Sequence, residues 1–148
     1  MKKIIIFISL CLLFFSCFQN GNQEPEFSLN GGWKLIAGEH RQPDGDIVKY
    51  PIGEGKHYML YNDQFFMKIW QDTSKNASSI YPGFSGGTYN LTDDFLTGRY
   101  IACVHKILIG TQFFNKVKFK EDMLSIVPSD ENGNLLEFGF FEQWEKIE

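Results

Sequence analysis

From Leu29 onward, short runs of β-branched and aromatic residues are separated by Gly, Asn, Asp and Pro. Runs at spacings of about 8–12 residues, with turn residues between them, are typical of a β-sandwich or a β-barrel. The pattern predicts strands over residues 33–37, 47–50, 57–61, 65–71, 86–91, 95–105, 111–120, 123–127 and 135–146. Because no long 3.6-residue apolar period is present, at most one short helix is expected, over residues 71–79.

Alternation within these runs assigns their faces. In residues 111–120, Val117 and Phe119 share one face, and the lysines at positions 116, 118 and 120 share the other, which predicts a solvated outer face. Residues 95–105 place one apolar set on a single face: Leu96, Gly98, Tyr100, Ala102 and Val104. The opposite set, which includes Arg99 and Cys103, is mixed, as in a half-polar cavity wall.

One charged residue interrupts an apolar face near the C-terminus. In residues 135–146, Phe138, Phe140 and Trp144 fall on one side of the predicted strand, and Glu142 lies between the last two. Two interpretations are open at this point. Glu142 either points into a cavity or emerges at the frayed end of the strand.

The N-terminus has the pattern of an export signal. A short basic stretch, Met1-Lys2-Lys3, precedes an apolar run over residues 4–15. As a helix this run spans about 18 Å, which suits a signal peptide and is short of the ~30 Å hydrocarbon core of a bilayer. Ser16-Cys17, followed by polar residues, resembles the lipobox of bacterial lipoproteins, which implies acylation of Cys17 and cleavage before it. The alternative is an ordinary secretory signal with a coincidental cysteine.

The resemblance to the lipobox implies a lipid anchor to the membrane. Position 18 is Phe and not the Asp that retains many such proteins at an inner membrane, so we expect the cell envelope, at the outer membrane. Periplasmic and surface-facing orientations are both open. The expected organisation is a signal peptide over residues 1–16, a lipidated flexible tether over 17–28, and one domain over 29–148.

Composition narrows the class of protein. The 148 residues are 43% apolar and 22% charged, as in a globular protein, and 14 basic against 18 acidic residues give no electrostatic footprint for nucleic acid. Cys11 leaves with the signal peptide and Cys17 is acylated, so Cys103 is alone in the mature chain. Without an intramolecular disulfide, the domain must be held by its core.

The domain's two ends carry a family resemblance. A Gly-x-Trp at Gly31-Gly32-Trp33 opens the first strand, and Trp144-Glu145-Lys146 closes the last. This arrangement resembles the lipocalin-like domains of envelope lipoproteins from Bacteroides-type bacteria. The resemblance implies an all-β, antiparallel up-and-down β-barrel (lipocalin/calycin-like) of about 8–10 strands. It also implies that Trp33 plugs the closed end, with Lys146 over its ring where Arg is common.

Catalytic and metal sites are not indicated. His40, His57 and His105 lack the close spacing of metal ligands, and Cys103 with His105 has no third orienting group. No phosphate loop or dinucleotide motif occurs, so we expect no cofactor and no enzymatic activity.

Aromatic residues cluster in the middle of the sequence. They indicate a cavity for a small apolar or amphipathic ligand, lined by Tyr58, Trp70 and Tyr100, with Arg99 holding the polar end. Plain core packing is the other interpretation of each aromatic. The alternative function is a structural module without a ligand cavity, which docks onto another envelope protein that the sequence does not identify.

Overall fold

The computed structural model describes residues 28–51, 54–73 and 82–147. The predicted signal peptide, residues 17–27 of the predicted tether and residues 74–79 of the predicted helix lie outside this part. Of that helix, Gln71 instead ends a strand, and Asp72 and Thr73 are not helical. Within the described ranges, no helix has the length and apolarity needed to cross a membrane.

The described chain is a nine-stranded antiparallel sheet closed into a barrel. The strands are β1 Gly31–Arg41, β2 Ile47–Tyr50, β3 Lys56–Asn62, β4 Phe65–Gln71, β5 Gly83–Thr92, β6 Phe95–Cys103, β7 Gln112–Lys120, β8 Met123–Pro128 and β9 Gly139–Ile147. From β3 to β9 each strand pairs with the next along the chain, and β1 joins both β3 and β9. The predicted all-β, up-and-down barrel is confirmed.

β1 is long enough to pair with two strands on one side. Its residues Gly31 to Lys34 pair with β3, and its residues Gly38 to Arg41 pair with β2. On its other side β1 pairs with β9 along most of its length. Eight strands therefore close the barrel, and β2 is an additional strand beside the second half of β1.

The two ends of the barrel differ in their connections. Three tight turns, centred on Asp63, Asp93 and Glu121, lie at the end where β1 begins, and each of these residues has a positive φ. At positions 63 and 93 the short Asp side chain tolerates this left-handed backbone better than a bulky one would. At the other end the fully described connections are longer, over residues 42–46, 104–111 and 129–138. We call these the hairpin end and the loop end.

The hairpin end is packed around a buried tryptophan. Trp33 is 1% exposed, and its indole Nε1 donates a hydrogen bond to the Leu29 carbonyl at 2.8 Å. Phe119 meets the Trp33 ring edge-on, and Lys146 Nζ lies 5.9 Å from its centroid. The contact that the family resemblance implies for Lys146 is therefore present. Trp144 is fully buried and belongs to the same hydrophobic core as Trp33.

A bulge between β5 and β6 overturns one face assignment. Gly86 pairs with Ala102, but Gly87 pairs with Tyr100, so Ile101 is an extra residue in β6. Beyond Tyr100 the two faces therefore exchange places. Cys103 is buried and Ala102 is exposed, the reverse of the arrangement predicted from unbroken alternation.

Two predicted strands extend beyond the observed ones by two residues or more. The last strand begins at Gly139 and not at Leu135, which forms only an isolated bridge with Ser129. The strand predicted over residues 95–105 ends at Cys103, and a short 3₁₀ helix, Lys106–Leu108, follows. The apolar runs in the sequence continue beyond the paired residues, and alternation does not show where the pairing between two strands ends.

Gly87 is expected to be intolerant of a side chain. A Cβ at Gly87 would collide with the carbonyl oxygen of Arg99 across the bulge, whereas a Cβ at Gly32 would meet only Ile147, at 3.7 Å. We expect Gly87→Ala to lower the free energy of unfolding by about 1–3 kcal/mol and Gly32→Ala to change it far less. Chemical denaturation of both variants measures this. Equal losses would contradict the assigned bulge geometry.

Candidate functional site

Glu142 lies inside the barrel and gathers three polar partners. Its side chain is 7% exposed, and it forms an ion pair with Lys68 Nζ. Its Oε1 also accepts a hydrogen bond from the Tyr50 hydroxyl at 2.9 Å, and its Oε2 accepts one from Trp144 Nε1 at 3.1 Å. Of the two interpretations open from the sequence, Glu142 thus takes the inward one. We call Tyr50, Lys68, Glu142 and Trp144 the interior polar cluster.

Strand alternation places each member of the cluster. On β4 the inward positions are Phe66, Lys68 and Trp70, while Met67 and Ile69 face outward. On β9, Glu142 and Trp144 share the inward face. Tyr50 ends β2 and reaches Glu142 across the second half of β1. Lys68, with 21% of its side chain exposed, retains partial access to solvent.

Aromatic rings surround the cluster on the β4–β7 side. Phe66 lies edge-on to Tyr100 and Phe113, with ring centroids 5.8 and 5.3 Å away, and the latter two rings lie 5.2 Å apart. Such aromatic contacts add modest stabilisation beyond the area they bury. The interior therefore combines one ion pair with an aromatic wall.

His57 extends the polar group toward the loop end. Its ring stacks on Tyr50 at 5.6 Å, and its Nε2 lies 3.0 Å from Asp72 Oδ1. Its other ring nitrogen, Nδ1, is buried and makes no hydrogen bond within the described residues. Since buried polar atoms are nearly always paired, Nδ1 is a position where a ligand could complete the bonding.

The buried carboxylate shapes the electrostatics of the interior. Desolvation by burial, and secondly the charge of Glu142, raise the pKa values of Tyr50 and Tyr61 above that of a free tyrosine. The same two causes, in the same order, raise the pKa of Tyr100 to about 12. These phenols stay neutral at physiological pH and can donate hydrogen bonds.

The raised pKa of Tyr100 predicts a loss of stability in alkali. Because the folded chain holds this proton more tightly than the unfolded chain, the contribution is complete below pH 10 and is lost as the pH rises through about 12. We expect Tyr100 to account for roughly 2–3 kcal/mol of this loss. Denaturation at pH 9–12, compared with Tyr100→Phe, measures it. Identical slopes for the two chains would contradict the assignment.

The sequence-predicted ligand residues lie on different faces. Trp70 and Tyr100 are on the inner side of their strands, partly buried, whereas Tyr58 and Arg99 lie on exposed, outward positions of β3 and β6. The candidate site therefore contains Trp70 and Tyr100 and leaves out Tyr58 and Arg99. The other arginine, Arg41, pairs with Glu39 and lies over Phe141, 3.9 Å from the ring centroid.

Sequence reasoning missed Lys68 and Tyr50, and it considered His57 only as a metal ligand. The signal for Lys68 was present, since it alternates with Phe66 and Trp70 within one strand. A lysine in an alternating strand is normally solvated, so this signal is weak without the partner carboxylate. Tyr50 and His57 show no sequence feature that distinguishes them from ordinary strand residues.

The remaining candidate chemistry is dispersed. Cys103 is buried, and the backbone N–H of His105 lies 3.4 Å from its Sγ, whereas the His105 side chain is exposed. His40 stacks on Phe140 at 4.3 Å. Across residues 28–51, 54–73 and 82–147, no three His, Cys, Asp or Glu side chains are grouped to hold a metal ion.

Two surface depressions lie away from the interior polar cluster. One, of about 380 Å³, lies on the outside of β4 and β5 and is lined by apolar residues including Met67, Ile69 and Phe84. The other, of about 400 Å³, lies at the hairpin end beside Asn30, Asp63 and Tyr89, and its lining is mostly polar.

Comparison with known proteins places the fold. No family model and no curated protein sequence matches the chain. A crystal structure of a lipocalin-like protein from Bacteroides uniformis is similar, with 16% sequence identity and a TM-score of 0.50 over 80% of this chain and 98% of that one. An uncharacterised protein from Bacteroides eggerthii is similar at 15% identity and a TM-score of 0.49, over 81% and 100% of the two chains. At this identity the likeness is one of fold, and the fold is lipocalin-like.

Proposed function

We propose that this protein is an envelope lipoprotein, anchored to the outer membrane through Cys17, whose barrel binds a small amphipathic ligand without catalysing a reaction. The observation that carries the proposal is the Lys68–Glu142 ion pair inside the barrel. Residues 1–27 lie outside the described structure, so the anchor rests on the lipobox-like Ser16-Cys17 alone. A doubly or triply acylated cysteine suffices for stable anchoring.

Stability alone is a poor reason for this ion pair. Desolvating two charges costs several kcal/mol, and well-packed apolar side chains of similar size often hold a fold equally well. Glu142 nevertheless keeps Lys68, Tyr50 and Trp144 oriented inside an aromatic wall. Polar groups held in place at this cost are characteristic of recognition sites.

The charges of the cluster define the ligand class. Lys68 and Glu142 neutralise each other, so the interior offers no net positive charge to a carboxylate. Beside its bond to Glu142, the ammonium group of Lys68 has two further N–H donors, and Glu142 Oε2 accepts one hydrogen bond, from Trp144, and has a second lone pair; this suits an uncharged, hydrogen-bonding head group. Phe66, Tyr100 and Phe113 supply apolar contacts for the rest of the molecule.

A matched pair of probes tests this ligand class. Monoacylglycerol has an uncharged head group, and the fatty acid with the same chain has a carboxylate. Brominated forms of both quench tryptophan fluorescence on contact, and Trp70 and Trp144 face the proposed site. We expect saturable quenching by the monoacylglycerol at lower concentration than by the fatty acid. Tighter binding of the fatty acid, or no saturable binding of either probe, would contradict the proposal.

A further inference from the structure

The outward positions of β3, β4 and β5 form a continuous apolar surface. Each of its side chains is 40–59% exposed. Cross-strand pairing joins Leu60 to Met67, Tyr58 to Ile69, and Ile69 to Phe84, so the side chains adjoin one another. We call this surface the outer apolar face: Tyr58, Leu60, Phe65, Met67, Ile69 and Phe84.

The outward strand positions around this face lack the acidic residues that give the chain its net negative charge. The whole chain has a formal charge of −4, yet the outward strand positions of β3 to β6 carry no acidic residue. The two charged residues among those positions are both basic, Lys56 on β3 and Arg99 on β6, and they flank the apolar side chains. The outward face of β7 also lacks acidic residues, but its three lysines, at positions 116, 118 and 120, make it cationic and not apolar.

An exposed apolar surface of this extent marks a contact site. Aromatic and aliphatic side chains flanked within the sheet by Lys56 and Arg99 match the boundary between lipid head groups and acyl chains, where aromatic rings are enriched and anionic lipids attract basic residues. The neighbouring acids, Asp63 and Asp72, lie outside the strands, at the two ends of β4. A surface that packed against a second copy of itself would bring the cations of the two copies close together in a symmetric contact.

The chain enters the barrel beside this surface. Gly31 and Gly32, at the start of β1, pair with Tyr61 and Leu60 of β3. Residues 18–27 separate Cys17 from Ser28, and a chain of this length spans at most about 40 Å. A bilayer that holds Cys17 is therefore within reach of the neighbouring strands.

From these observations we infer that the outer apolar face lies on the bilayer to which Cys17 is anchored. The barrel is then held to the membrane at two points, the acylated cysteine and this face. The inference rests on the anchor of the proposed function, but it concerns a different surface from the interior polar cluster.

The test uses the mature, acylated protein in vesicles of phosphatidylethanolamine and phosphatidylglycerol. Met67→Cys carries an environment-sensitive fluorophore on the outer apolar face, and Ser125→Cys carries it on β8, across the barrel. Cys17 is blocked by its acyl chain and Cys103 is buried, so the added cysteine takes the label. We expect a blue shift and quenching by spin-labelled lipid at position 67, and neither at position 125.

Each other outcome overturns the inference in a distinct way. An unshifted signal at position 67 places the face in water. A blue shift without quenching by lipid assigns the face to a second copy or to another envelope protein. Absence of the acyl mass on Cys17 removes the anchor, and with it both this inference and the anchoring part of the proposed function. Ligand binding, measured separately with the monoacylglycerol probe, is untouched by all three results.

A second variant measures the energetic contribution of the face. Expressed from Phe18 onward, without the apolar signal segment and Cys17, the unanchored chain binds the same vesicles through the face alone. We expect the further change Met67→Glu with Phe84→Glu to weaken that binding at least about tenfold, because it removes two apolar side chains and adds two anionic ones. Both positions are exposed, so the barrel core is unchanged. Equal binding by the two chains would overturn the inference.

Discussion

Replacement of Glu142 by alanine is expected to lower the free energy of unfolding by about 3–5 kcal/mol. The substitution removes the partner of Lys68 and the acceptor for the Tyr50 hydroxyl and Trp144 Nε1. Breaking one side of a buried pair costs more than the pair itself contributes, because the remaining charge and donors stay desolvated. Lys68, being 21% exposed, recovers part of its hydration, which favours the lower half of the range. Urea denaturation measures the loss.

A double variant separates stability from recognition. Lys68→Met with Glu142→Gln removes both charges and keeps a side-chain oxygen for the Tyr50 hydroxyl. We expect it to recover at least half of the stability lost in Glu142→Ala, yet to lose the monoacylglycerol binding. If the double variant is as unstable as Glu142→Ala, the cost lies in packing and not in an unpaired charge.

Replacement of Trp33 by alanine is expected to lower the free energy of unfolding by about 3–5 kcal/mol. Trp33 is 1% exposed at the hairpin end, and the substitution leaves a cavity beside Phe119. It also leaves the Leu29 carbonyl without the indole donor. A loss of this size is a major part of the total stability of a typical domain. Calorimetric unfolding compares the variant with the native chain.

Two control variants separate the contributions to the loss expected for Trp33→Ala. Trp33→Phe keeps a ring and loses the hydrogen bond, so we expect a smaller cost than that of alanine. Ile107→Ala alters an 86% exposed side chain and should change stability by no more than about 0.5 kcal/mol. A Trp33→Ala cost as small as that of Ile107→Ala would show that the hairpin end is not closed by this residue.

The positions of many of the strands could be predicted from alternation and turn residues. β2 and β4 have the predicted bounds, because Gly, Pro and Asn-Asp turn signals flank short β-branched and aromatic runs. The up-and-down order followed from a resemblance that included Trp33 and Trp144. The bulge at Ile101 could not be predicted, since it depends on the close approach of Gly87 to Arg99 across the strands.

The interior polar cluster could be predicted only in part. Glu142 was visible in the sequence because a charge interrupted an apolar face, and it is buried. Its partner Lys68 lies 74 positions away, and only barrel closure brings the two together. Aromatic content indicated rings in the interior, but only the assignment of strand faces shows which rings those are, with Trp70 and Tyr100 inward and Tyr58 outward.

The chemistry of this barrel is concentrated in two places that use opposite faces of the same strands. On β4, Lys68 and Trp70 point inward to the proposed ligand site, while Met67 and Ile69 point outward to the proposed membrane contact. On these two proposals, one strand joins the ligand site to the bilayer from which an amphipathic molecule would come.

Native mass spectrometry of the protein purified from its own host tests the central claim most directly. The comparison includes the native chain, Lys68→Met with Glu142→Gln, and Lys118→Met, which removes an exposed lysine from the outer face of β7. We predict that an uncharged amphipathic molecule accompanies the native chain and the Lys118→Met chain and is missing from the double variant. The same molecule bound to all three chains, or no molecule bound to any, would contradict the account.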